Sequence, residues 1–213
     1  MNPIINDQYV SYQGSGHLIG KRQYFIRFAG CSIKDCRIRN VCDEKHALSS
    51  KNGTPQDPSQ LVQNAVDQVG EGGWIAITGG EPCDQPEGLV ALCIEAERKQ
   101  MRIHLHTSGA IQVPVRTDWL TISPKHPVEQ LSWNRNKFAQ EMIIVCNDSV
   151  IDDEEMINDY WENSRCYDYY LQPEMKNDGT TNLQQTLALI ERLNEFEHRF
   201  DLTVQMHKYL ELK

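Results

Sequence analysis

Cys31, Cys36 and Cys42 fall within twelve residues, directly after an apolar run that stops at Gly30. Three thiolates on one loop can hold three irons of a cubane iron–sulfur cluster and leave the fourth iron open to a chelating ligand. A structural zinc site with His46 as fourth donor is the rival, although such sites usually carry a paired C-x2-C knuckle, which is absent here. Unligated thiols are the third reading. Lys34, Arg37 and Arg39 lie among the cysteines. Cations there lower a thiol's pKa and attract an anionic ligand. Thr78-Gly79-Gly80-Glu81-Pro82 ends the next apolar run. Its glycines let a ligand approach the backbone, and Glu81 can accept hydrogen bonds from an ammonium group. The other four of the seven cysteines, Cys83, Cys93, Cys146 and Cys166, are scattered and read as small buried hydrophobes. Cys83 also directly follows the glycine-acid motif.

Other polar residues occupy telling places. Ser11-Tyr12-Gln13-Gly14-Ser15-Gly16 reads as a polar loop able to present backbone amides. Arg27 sits inside an apolar strand, and a buried arginine must be paired, with a structural carboxylate or with an anionic substrate. His104 and His106 alternate along one strand and so share a face. His207 follows the last strand, and all three histidines read as satisfied core or surface groups.

The elements that must carry these residues alternate. Strands are expected at 24–29, 74–77, 102–107, 120–122, 141–145, 167–171 and 202–206, and helices at 58–69, 89–97, 151–161 and 183–196. Residues 49–55 are turn-rich and read as loop. Strands separated by helices imply β-α-β units and a parallel sheet, an α/β fold. Each motif lies just beyond the C-terminal end of a strand, the edge where such sheets bind ligands. At 213 residues the chain is short for a complete eight-fold barrel, so a partial, TIM-like barrel is expected, as one domain over 1–213.

The net charge of −9 argues against sequence-independent binding to nucleic acid or to an anionic membrane, both of which need a basic face. No apolar run reaches the ~18–20 residues of a membrane span, and the N-terminus lacks the blocks of a signal peptide. A cytoplasmic location follows, where disulfides are disfavoured and metal or cluster ligation is the leading use of the clustered thiols.

Together these residues resemble the radical S-adenosylmethionine enzymes, and more closely the family that makes 7-carboxy-7-deazaguanine in queuosine and deazapurine biosynthesis. The matching landmarks are Tyr12-Gln13-Gly14-x-Gly16, Phe25-Ile-Arg27-Phe-Ala-Gly30-Cys31, Cys42-Asp43, Thr78 to Pro82, His106-Thr-Ser-Gly109, Ile122-Ser-Pro-Lys125-His-Pro, Leu171-Gln-Pro173 and Gln205-Met-His207-Lys-Tyr-Leu210. The resemblance implies that Cys31, Cys36 and Cys42 ligate a [4Fe–4S] cluster. It implies that Gly80, Glu81, Ser108, Ser123, Pro124, Lys125, Gln172, Pro173, Glu174 and Met175 hold S-adenosylmethionine. Tyr12, Gln13, Gly14, Arg27, Thr78, His207 and Lys213 would hold the substrate, a carboxylated tetrahydropterin. The implied reaction is a ring contraction with loss of ammonia, begun by a 5′-deoxyadenosyl radical. The resemblance also implies an electron donor such as flavodoxin or ferredoxin, and a homodimer.

Three departures from the family pattern stand out. The cysteine spacing is C-x4-C-x5-C, where three and two intervening residues are more common. Glu44 stands after Cys42-Asp43 in place of a threonine that coordinates Mg²⁺, so any magnesium would have Glu44 as its ligand. Ser15 stands where the family has a glutamate facing the substrate.

Overall fold

The fold is known from a computed structural model, which describes residues 1–39, 42–127, 130–132, 138–147, 150–176, 178–195 and 198–212. Nine strands form one sheet: β1 (Ile4–Tyr12), β2 (Arg22–Phe28), β3 (Thr54–Pro55), β4 (Trp74–Gly79), β5 (Arg102–Thr107), β6 (Trp119–Ile122), β7 (Ala139–Cys146), β8 (Cys166–Pro173) and β9 (Phe200–Leu202). Their order is β3-β1-β2-β4-β5-β6-β7-β8-β9. From β2 to β9 every pairing is parallel. Among the described residues the longer helices that accompany them are α1 (Pro58–Val69), α2 (Pro86–Arg98), α3 (Glu154–Asn163) and α4 (Leu183–Asn194).

The antiparallel edge formed by β1, β2 and β3 departs from the expected all-parallel sheet. Only residues 13–21 join β1 to β2, too few for the crossover that a parallel pair requires. The segment at 49–55, expected to be loop, contributes the short strand β3 beside two 3₁₀ turns.

Local signals explain the helix limits. Asp57 caps α1 through Ser59 N, Pro58 opens its first turn, and Gly70 at φ +82° closes it. Asp153 accepts a hydrogen bond from Met156 N, so α3 starts three residues later than its apolar spacing suggests. The described part of α4 ends at Asn194; the expected terminus at 196 lies outside the described residues.

Strand alternation divides the sheet into two chemically distinct faces. Ile26, Phe28, Ile75, Ile77, Leu105, Ile122, Met142 and Leu171 pack outward with Leu61, Leu89, Leu92, Ile157 and Leu189 of the helices. The opposite face carries Gln23, Arg27, His104, Thr121 and Glu141, all buried. Four of them are linked across strands. Thr121 Oγ1 donates to Glu141 Oε1 at 2.6 Å, His104 Nε2 lies 2.8 Å from Thr121 Oγ1, and His104 Nδ1 faces the Gln23 amide at 3.2 Å. Glu141 also accepts from His17 N at 2.8 Å, which anchors the loop after β1.

The C-terminal segment differs from expectation. The strand read over 202–206 is β9 at Phe200–Leu202, followed by a short helix, α5 (Met206–Tyr209). Beyond Leu202 the chain leaves the sheet because other partners claim its polar groups. Gly16 N donates to Thr203 Oγ1 and Met206 N donates to Gly14 O, both at 2.8 Å. These two bonds draw the chain's end across the mouth of the partial barrel. Cys83 and Cys146 are buried, and burial pushes both thiols up, so they behave as interior hydrophobes.

Burial also holds His104 neutral, its pKa well below the ordinary value. The unfolded chain takes up that proton near pH ~6.5 while the folded chain refuses it. Folding stability is therefore fully present above about pH 6.5 and declines as the pH drops below it. The urea midpoint is expected to fall between about pH 7.5 and 5.5, and to fall less in His104→Asn.

Candidate functional site

The strand ends on the C-terminal side of the sheet are locked to the cysteine loop. Gly80 N donates to Phe28 O, Glu81 N to Gly30 O, Gly30 N to Ala47 O and Cys31 N to Leu48 O. Asp84 accepts from both Ser32 N and Ser32 Oγ, at 2.7 and 2.6 Å. The approach is so close that a Cβ on Gly80 would lie 2.1 Å from Gly30 O, and one on Gly79 would lie 2.2 Å from Phe28 O. The two glycines thus make room for the backbone at the end of β2 and just beyond it.

Glu81 is 1% exposed, yet its carboxylate is fully engaged. Oε1 accepts from Cys83 N and Thr107 Oγ1, and Oε2 accepts from Ser108 N and Ser108 Oγ, over 2.6–3.1 Å. A carboxylate has about four lone-pair sites, and all are used. The expected contact from Glu81 to an ammonium group therefore requires one of these donors to yield. In its present state Glu81 clamps the loop after β4 to the end of β5.

Two adjoining cavities open over this edge. The first, of about 260 Å³, is lined by Cys31, Cys36 and Cys42 and by Gly80, Glu81, Ser108, Ser123 and Lys125. Lys125 Nζ donates to Ser123 Oγ at 2.6 Å. Burial lowers its pKa, against the opposing pull of Cys36, Cys42, Glu81 and Asp43. It supplies the cation that the cysteine loop was expected to provide: Arg37 instead pairs with Asp153, and Arg39 bonds Ile33 O, while still lining the cavity. Pro124 and Gln172, Pro173, Glu174 and Met175 are not among the lining residues. Glu174 N is held by Asn182 and by Cys146 O, and Met175 bridges to Thr181, beside the cavity.

The second cavity, of about 200 Å³, is lined by Tyr12, Gln13, Gly14, Arg27, Thr78 and His207. These are six of the seven residues proposed for substrate; Lys213 lies outside the described residues. Tyr9, Phe25, Ser15, Glu44 and His106 complete its wall. Glu44, Thr78 and His106 line both cavities, which are therefore contiguous. Sequence reasoning missed Tyr9 and Phe25 as site residues. They stack at 5.3 Å as a cross-strand pair, and the unread strand β1 hid that pairing.

Arg27 is 7% exposed. It hydrogen-bonds Tyr9 Oη and forms an ion pair with Glu44, while its Nε has no hydrogen-bond partner. His106 rests against His104 with ring centroids 4.0 Å apart. Burial, and then the charge of Arg27, lower its pKa to about 4, and its Nε2 is unpartnered. Gln13 Nε2 donates to Ser15 O. A Cβ on Gly14 would lie 2.0 Å from His207 Nδ1, so glycine is what lets α5 dock there. Lys208 Nζ and Gln205 Nε2 reach Asp43 at 2.8 and 3.0 Å, tying the chain's end to the cysteine loop.

Among the described residues no three His, Cys, Asp or Glu side chains converge as the ligands of a single ion would. The three loop thiols, each half-buried, border one cavity. A partial parallel barrel with three loop cysteines over a strand-end cavity defines the radical S-adenosylmethionine class.

The comparisons narrow this class. The chain is 32% identical to a 7-carboxy-7-deazaguanine synthase of Synechocystis over 207 residues, covering 97% of this chain and 91% of that protein. It is 29% identical to one from Caulobacter vibrioides, over the whole of both chains. The crystal structure of QueE from Escherichia coli superposes with a TM-score of 0.68 at 22% identity, covering 97% of this chain and 95% of that one. No family model matches. The chain belongs to the 7-carboxy-7-deazaguanine synthase family.

Removing the Glu81 carboxylate would leave buried donors from Cys83, Thr107 and Ser108 unpaired. Glu81→Ala is expected to cost about 3 kcal/mol, read from urea unfolding. Gly80→Ala is expected to cost at least about as much, because the clash is with backbone that cannot rotate away.

Proposed function

We propose that the chain is a radical S-adenosylmethionine lyase that converts 6-carboxy-5,6,7,8-tetrahydropterin to 7-carboxy-7-deazaguanine and ammonia. The observation that carries this reading is the pair of contiguous cavities, one walled by three cysteines, the other by a buried arginine. When bound, a [4Fe–4S] cluster and S-adenosylmethionine supply a 5′-deoxyadenosyl radical able to take hydrogen from C6 of the pterin.

The residues divide the remaining work. Cys31, Cys36 and Cys42 would hold the cluster, with Lys125 beside them offsetting anionic charge. Ser108 and Ser123 edge the same cavity, and Gly80 offers backbone there. Arg27 offers a planar fork that suits the pterin carboxylate. Neutral His106, whose Nε2 has no hydrogen-bond partner, lines the junction of the cavities. Tyr12, Gln13, Gly14, Thr78 and His207 complete the pterin wall, where α5 docks on Gly14. Magnesium enters this reading only through Glu44, whose carboxylate faces Arg27 and His46 in the free protein. The same reading carries a flavodoxin- or ferredoxin-type reductant, a homodimer and a cytoplasmic location. No described helix is long and apolar enough to cross a membrane.

Anaerobic incubation of the reconstituted protein with the carboxytetrahydropterin, with and without Mg²⁺, is expected to yield 7-carboxy-7-deazaguanine. Formation of 5′-deoxyadenosine without that product would move the reading to another heterocycle. Cys36→Ala is expected to keep its circular dichroism and melting temperature while losing cofactor cleavage. In Arg27→Met the pterin KM is expected to rise about 100-fold, while uncoupled cleavage of the cofactor persists.

A further inference from the structure

Arg27 is committed before any ligand arrives. Of the donors in its fork, one Nη serves Tyr9 Oη, the other faces Glu44 Oε1, and Nε is buried with no hydrogen-bond partner. Tyr9 and Arg27 belong to paired strands, so their contact is part of the sheet. Glu44 belongs to the irregular segment after Cys42, and its side chain is 30% exposed, against 9% for that of Arg27. The fixed partner is thus the arginine and the movable one the glutamate. Glu44 Oε2 also lies 3.3 Å from His46 Nε2, so a second partner stands beside the carboxylate, on a side chain that is 56% exposed. Both Arg27 and Glu44 line the second cavity, and Glu44 reaches into the first as well.

A carboxylate entering the second cavity has two ways to use the guanidinium. It can displace Glu44, or it can take the Nε edge and share one cation with a second carboxylate at close range. Both are opposed by Glu44, because like charges at one site disfavour each other. A heterocycle without a carboxylate meets no such opposition. We propose that Glu44 is a specificity-determining residue: it stands on Arg27 in the free protein as an internal carboxylate, so that a carboxylated ligand must compete with it while an uncharged one need not. This rests on the pterin reading of the second cavity.

Calorimetric titration without divalent cations tests it, with the reconstituted protein and two stable probes, pterin-6-carboxylate and pterin itself. Glu44→Gln is expected to bind pterin-6-carboxylate about tenfold more tightly than the unsubstituted protein, with pterin held within about twofold. Glu44→Thr, a shorter and uncharged side chain, is expected to behave in the same way. Unchanged or weaker binding of pterin-6-carboxylate in both variants would overturn the proposal, as would an equal gain for both probes. Heat from neither probe in any of the three proteins would instead sink the pterin reading and this proposal with it.

Discussion

A buried carboxylate with every lone pair in use organises the working edge of this molecule. Glu81 is drawn out of water at the end of β4, and desolvating a charge is tolerable only where donors replace the lost hydration. Cys83 N, Thr107 Oγ1 and the amide and hydroxyl of Ser108 do so. Meeting them fixes the end of β4 against the end of β5. The Gly80 and Gly30 backbones then come so close that no side chain fits between, and the cysteine loop inherits its position from that contact. The three thiols are thus placed by a clamp that itself contains no sulfur.

The sheet beneath has one apolar and one polar face, and each has its own cause of stability. Outward residues bury against the helices by area alone. Inward residues are polar and are stable because they bond one another, through Gln23, His104, Thr121 and Glu141. That polar layer ends in the His17 amide and so reaches the loop after β1. The same loop receives the C-terminal segment at Gly14 and Gly16. The polar layer and the C-terminal segment are therefore both tied to the loop after β1.

At the meeting point of the two cavities stand Glu44, Thr78 and His106, with Arg27 beside them on the wall of the second. Burial, and then the arginine's charge, keeps the imidazole neutral, and the glutamate pairs with the arginine. Glu44 and Ser15, two of the three departures that stand out in the sequence, both lie on the wall of the second cavity.

Much was legible from residue types and spacing alone. The parallel strands from β2 to β8, helix α1 to the residue, the cysteine trio, and the shared face of His104 and His106 all follow from short-range periodicity or from the chemistry of neighbouring residues. Other features were not legible, because they depend on partners far away in the chain. The strand β1 is polar at Asn6, Asp7 and Gln8, and only pairing with β2 makes it a strand. The segment after Leu202 has the composition of a strand, yet its polar groups are claimed by Gly14 and Gly16 nearly two hundred residues earlier. Thr78 to Pro82 reads as a ligand loop from its glycines; that their hydrogens also clear the backbone of Phe28 and Gly30 depends on a strand some fifty residues earlier. Sequence determined which groups are available and which segments are regular, since both are local properties. Tertiary structure decided which acid meets which base, because burial, close approach and desolvation exist only once distant segments share the same space.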